Sequence, residues 1–185
     1  INWCSAQQVT KICETNYYDT NLASYPTIRY DQDRNMYAAS VKRDNSGFVI
    51  LKYDQNCNEL WFKQYNRPYG INIYHGNNPI PRLDNMTIAT VRKQNRGEQD
   101  LIFIPIPGVL IMIGSTRLYR SYILILDTET GNKEWCGLVD TSMSRVTYNS
   151  ETVGSVFIDT SGALILSMVF RANSGTMRGN SLIKY

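Results

Sequence analysis

Residues 48 to 65, FVILKYDQNCNELWFKQY, lie over residues 122 to 139, YILILDTETGNKEWCGLV, once a single residue is added to the second turn. Each reads as an apolar strand, an aspartate, a polar turn and a strand carrying tryptophan. Upstream of each sits a further matched segment, TIRYDQDRNMYAASV at 27 to 41 and LIFIPIPGVLIMIGST at 101 to 116, both read as hairpins. A third copy, SVFIDTSGALILSMV at 155 to 169, runs through a polar loop into NSLIKY, which aligns with FVILKY. The N-terminal INWCSAQQ supplies Trp3-Cys4, which matches Trp135-Cys136, so Trp3, Trp61 and Trp135 fall in one register. A repeat constrains the fold strongly, because each unit buries its apolar faces only by stacking on its neighbours.

Helical periodicity is nearly absent, and β-branched and aromatic residues dominate every apolar segment. The strands expected are 26–30, 35–41, 48–53, 60–65, 86–92, 101–104, 109–115, 122–126, 133–138, 155–158, 163–170 and 181–185. DQDRN, RDNSG, DQNCN, PIPG, DTETGN, DTSG and NSGTMRGN separate them, all rich in residues that tolerate tight or left-handed backbone. The fold class is all-β, with antiparallel four-stranded repeats arranged like the blades of a β-propeller, about three in residues 1–185; a β-sandwich or barrel is the alternative. Trp61 and Trp135 are expected to be buried in matching environments between blades. INWCSAQQ is expected to pair with SLIKY and complete the last blade.

The pattern D-x-x-T-G-x-x-x-W from Asp127 through Gly131 to Trp135 resembles the tryptophan-docking repeats of quinoprotein-type β-propellers. The copy from Asp54 to Trp61 is one residue shorter and has Cys57 where that pattern has glycine. The resemblance implies that the indole packs against a neighbouring turn and ties blade to blade. Enzymes of that family hold a quinone and calcium at the centre of a ring of about eight blades. Three blades do not form such a pocket, so the resemblance concerns packing and no cofactor is carried over.

Residues 67–99 do not fit the repeat. RPYGINIYHGNNPIPRLDN reads as a long loop, and MTIATVRKQ as an extra or irregular outer strand. Long loops in compact domains are commonly functional, which makes Tyr69, Tyr74, His75 and Arg82 candidate interaction residues. His75 has no Ser, Cys or Asp beside it in a nucleophile pattern, and the chain shows no G-x-S-x-G, phosphate loop or paired-carboxylate motif.

The 19 basic and 16 acidic residues leave a net charge of +3, scattered rather than clustered, which is not the charge of a nucleic-acid binder. The longest apolar run, LIFIPIPGVLIMIG, is broken by Pro105, Pro107 and Gly108, so no membrane span is expected. Cys4, Cys13, Cys57 and Cys136 allow two disulfides in three pairings or four buried thiols, and with His75 as the one histidine zinc binding is a poor reading. The chain opens on Ile1, as expected if a leader or a longer parent has been removed. The functional expectation is a noncatalytic structural or protein-interaction module without cofactor or metal, extracellular or on a particle surface, with self-association or other subunits as partners. A carbohydrate-binding lectin is the alternative, with a fragment of a quinoprotein-type enzyme behind it.

Overall fold

The structure, a computed structural model, describes residues 22, 26–66, 81, 83–93, 97–113, 116–138, 148–159, 163–172 and 178–184. These residues form antiparallel β-structure with a single 3-10 turn at Leu83–Asn85. Strands β1 (Thr27–Tyr30), β2 (Met36–Val41), β3 (Gly47–Tyr53) and β4 (Glu59–Asn66) make a four-stranded meander. A second meander runs through β5 (Thr87–Lys93), β6 (Gly97–Ile113), β7 (Thr116–Asp127) and β8 (Lys133–Leu138). Strands β9 (Tyr148–Ile158), β10 (Leu164–Ala172) and β11 (Arg178–Lys184) follow as a third meander, joined to β7 by the single parallel pair Tyr119↔Ser150.

One turn design ends several of these hairpins. Asp31 and Asp54 each accept, on Oδ1, the backbone N–H of the residue four positions on, Asn35 or Asn58, at 2.8 Å. Each aspartate's Oδ2 accepts from the side-chain amide of the same asparagine, also at 2.8 Å. Asp159 Oδ1 likewise accepts from Ala163 N at 3.0 Å. The residue before the closing position has left-handed backbone, with φ of 64° at Arg34 and 63° at Cys57; Gly131 holds the same place in its turn, at 66°. A type I turn followed by one left-handed residue suits the twist of a hairpin, and the aspartate satisfies amides the turn leaves free. Cys57 thus adopts the conformation of the glycine it replaces.

The sheets stack face to face. From the first sheet Tyr37, Ala39, Phe48 and Ile50 pack against Ile102, Ile104, Ile106, Leu124 and Leu126 of the second. The opposite face of the second sheet, Leu101, Phe103 and Ile123, packs on Val156 and Leu166 of the third. The central parts of β6 and β7 are therefore buried on both sides, which explains why those strands read as continuous apolar runs without alternation. Burying each of these large side chains contributes about 1.5 to 3 kcal/mol. The third core, Val49, Leu51 and Tyr53 with Leu22, Met36 and Phe62, lies on the outer face of the first sheet.

The second repeat differs from the sequence reading. Residues 101–116 are not a hairpin turning at PIPG: β6 runs unbroken from Gly97 to Ile113, and the register shift between Ile106 and Val109 absorbs the irregularity as a bulge. Prolines in a sheet sit where a ladder hydrogen bond is already lost, and a bulge provides such a place. The strand partnering β6 on its other side is β5, so MTIATVRKQ supplies the first strand of the repeat rather than an addition to it, and residues 87–93 and 97–99 of the expected insertion belong to the sheet. Strands β9, β10 and β11 stand in the order of β5, β6 and β7, as the alignment of NSLIKY with FVILKY requires. The expected pairing of INWCSAQQ with SLIKY lies outside the described residues.

Arg34 holds a left-handed conformation that costs an L-residue roughly 1 to 2 kcal/mol and glycine little. Arg34→Gly is expected to raise stability by about 0.5 to 1 kcal/mol after the entropy cost of glycine. Urea unfolding measures this; a fall in the midpoint would contradict the turn assignment.

Candidate interface: the turn held by Trp61 and the half-exposed Trp135

The turn Asp127–Asn132 projects from the second sheet into a cradle on the first. Trp61 sits on β4 opposite Lys52, on the face that carries Phe48 and Ile50 toward the second sheet. Its indole N–H donates to the Thr128 carbonyl at 2.9 Å. The ring lies so close over Gly131 that a Cβ there would stand 3.1 Å from Cζ3. Glycine suits this position for its left-handed φ, and a side chain there would also press on Lys63 Cγ, 2.8 Å from the Cβ position, and on the indole.

Three further side chains close the cradle. The Tyr65 hydroxyl donates to Gly131 O at 2.6 Å, while its ring stacks on Phe48 with centroids 4.6 Å apart. Lys52, buried, donates from Nζ to Thr128 O at 3.2 Å and to Glu129 Oε1 at 3.3 Å, and lies 5.5 Å from the centroid of the Tyr37 ring. Tyr37 meets Trp61 edge-on at 6.1 Å. Thr128 O thus receives an indole and an ammonium donor together, which offsets the cost of burying both donors.

Asp127 organises the turn from within. Burial opposes its charge, yet hydrogen bonds from the Thr130 hydroxyl and amide and from the Gln99 side chain outweigh that effect and hold the carboxyl below its usual range. Burial also raises Tyr65 and Tyr37 far above the ordinary phenol range, with Asp31 adding to the shift at Tyr37. Both phenols stay neutral at physiological pH and remain donors.

Of the residues singled out in the sequence, the fold sets Trp61 beside Gly131, in the turn that Asp127 orders. Asp54 orders its own turn at the surface, where hydrogen bonds from the Asn58 side chain and backbone lower its carboxyl. Trp135 departs from expectation. It is 49% exposed, with its ring lying across Gly137, so its environment does not match that of Trp61. The physical reason is that Trp61 has a neighbouring turn to receive it, whereas among the described residues none reaches Trp135. Cys57 is disulfide-bonded to a partner outside the described residues. Cys136 is a free thiol, against the reading that made it a disulfide candidate; burial beside Tyr122 pushes it up to about 11. Trp3, Cys4, Cys13, Tyr69, Tyr74, His75 and Arg82 lie outside the described residues.

Lys52, Tyr65 and Thr128 were not anticipated. In FVILKY both faces of the strand are apolar, so nothing in the pattern marks Lys52 as inward. Beside the turn lies an open cleft of about 360 Å3, lined by the carboxylates of Asp33, Glu98, Asp100 and Glu129 and the amides of Gln32 and Gln99. Among the described residues no group of three or more His, Cys, Asp or Glu is arranged to hold a metal ion, and no helix is long and apolar enough to cross a membrane. No protein-family model matches the chain, and no curated protein matches it in sequence.

Trp61→Phe keeps the ring but removes the bond to Thr128 O, leaving a buried acceptor with one fewer donor; a loss of about 1 to 2 kcal/mol is expected. Trp135→Phe should stay within about 0.5 kcal/mol of the parent, as surface substitutions do. Equal losses in thermal unfolding would refute the asymmetry. The depressed carboxyls of Asp127 and Asp54 make a stabilising contribution that is complete above the unfolded carboxylate range, about pH 4, and is lost as pH falls through the lower folded values. Asp127→Asn should flatten the acid limb of the stability curve between about pH 4 and pH 2.

Proposed function

We propose that this chain is a noncatalytic structural and protein-interaction module of the propeller-like kind, working within an extracellular or particle-surface assembly. The grip of Trp61 on the neighbouring turn supports kinship with the tryptophan-docking repeats, where the indole serves packing rather than chemistry. The observation that carries the reading is the unequal cover of the stack. Strands β6 and β7 of the second sheet are packed on both faces, whereas Phe157, which pairs with Ile165 on the side of the third sheet turned away from the second, is 54% exposed. An apolar ring on the outer face of a stacked sheet is the surface on which a further layer would sit.

A carbohydrate-binding role is the second reading. It is favoured by the polar cleft, which adjoins a smaller hollow where Tyr30, 63% exposed, offers an aromatic face. Tyrosine presents a rigid amphipathic surface at low entropic cost, to sugars and proteins alike.

Sedimentation over a range of concentrations tests the first reading. Reversible association above the 21.2 kDa of one chain is expected, and Phe157→Asp should abolish it without lowering the melting temperature. A particle that stays monomeric throughout would overturn assembly through this face. Glycan-array binding lost in Tyr30→Ala would transfer the function to the cleft.

A further inference from the structure

The outer face of the first sheet is buried, although no described apolar side chain lies over it. Along β3, Phe48, Ile50 and Lys52 point toward the second sheet, so Val49, Leu51 and Tyr53 point away from it. On that face they are 0%, 4% and 3% exposed. The described side chains packed against them are Leu22, Met36 and Phe62. Met36 pairs with Tyr53 and Phe62 with Leu51, and Leu22 continues the line of β1 through its bridge to Lys42. All three are neighbours in the plane of the sheet, where they shield the flanks of a side chain and leave its tip uncovered. Full burial therefore needs a further layer, and in a structure of one chain that layer is the chain's own.

Two fixed points identify it. At one end of the face Leu22 is held beside Lys42, whose N–H donates to Gly47 O at 2.9 Å at the start of β3. At the other end, in the turn after β3, Cys57 is disulfide-bonded. The chain has four cysteines and Cys136 is a free thiol, so the partner of Cys57 is Cys4 or Cys13, both N-terminal to Leu22. The seven residues of β3 span roughly 24 Å at about 3.4 Å each. The nine steps from Cys13 to Leu22 reach at most about 30 Å, enough to cross the face with Tyr17 and Tyr18 midway, and from Cys4 the chain has slack.

We propose that residues 1–21 are a strap across the outer face of the first sheet, fastened beyond β3 by a disulfide from Cys57 to Cys4 or Cys13. The bond forms by thiol–disulfide exchange: two cysteine thiols give up two protons and two electrons to a donor disulfide, which leaves as two thiols. The strap caps the end of the stack opposite Phe157, as a stacked-repeat fold requires where no further layer follows. It stands whether or not the third sheet binds a partner.

The test alkylates the free thiols of the unreduced, denatured chain, digests it with trypsin and weighs the peptides. Residues 53–63, which hold Cys57, should be joined to residues 1–11 or 12–29, and residues 134–145 should carry alkylated Cys136. Alkylated Cys57, or Cys57 joined to residues 134–145 or to a second Cys57, overturns the strap. Cys57→Gly removes the fastening and suits the left-handed backbone of the turn, whose φ is 63°. Trypsin should then cut the native chain after Lys11 roughly tenfold faster or more, and an apolar dye should bind the uncovered face. Serine at the mapped partner, Cys4→Ser or Cys13→Ser, should do the same with the turn untouched, whereas serine at the other cysteine should not. Cleavage and dye binding unchanged in both Cys57→Gly and the partner variant overturn the covering role, whatever the peptide map.

Discussion

The carbonyl of Thr128, meeting the indole of Trp61 and the ammonium of Lys52, is the polar lock on an otherwise apolar interface. Behind it the second sheet presents Ile102, Ile104, Leu124 and Leu126 to Phe48 and Ile50. Such packing drives the layers together but is non-directional, and hydrophobic surfaces can slide. Hydrogen bonds to one carbonyl, with a ring seated on one glycine, confine the two sheets to a single relative position.

The turns make that lock portable. An aspartate satisfying nearby amides and a left-handed residue closing the loop hold the hairpin without help from the body of the sheet. Glycine at the left-handed place, as at Gly131, leaves the turn open to an incoming ring. A side chain there, as at Arg34 or Cys57, keeps the turn but removes the receptor for an indole. The Asp127–Asn132 turn thus differs from the other two both in having glycine at the left-handed place and in being one residue longer.

This division bears on function. The central strands of the middle sheet are packed on both faces, by Phe48 and Ile50 on one side and by Val156 and Leu166 on the other. Phe157 on the outer face of the third sheet and Trp135 on β8 are large apolar side chains that stay about half exposed. Under the proposed reading, the exposed Phe157 face is where a further layer would sit.

Much of this was legible in the residues. The all-β class followed from β-branched and aromatic runs between turn-forming clusters, and the Asp127, Gly131 and Trp61 positions followed from laying one repeat over another. Those features are local, because turn chemistry and strand propensity act within a few residues. The sequence could not say that PIPG is a bulge within β6 rather than a turn, since proline and glycine serve both and the choice depends on which strand lies alongside. Nor could it say that two tryptophans in one register would differ, Trp61 gripped and Trp135 half-open. Local sequence placed the two indoles on equivalent strands; only the tertiary structure decided which had a turn to hold, because burial belongs to the neighbour as much as to the residue.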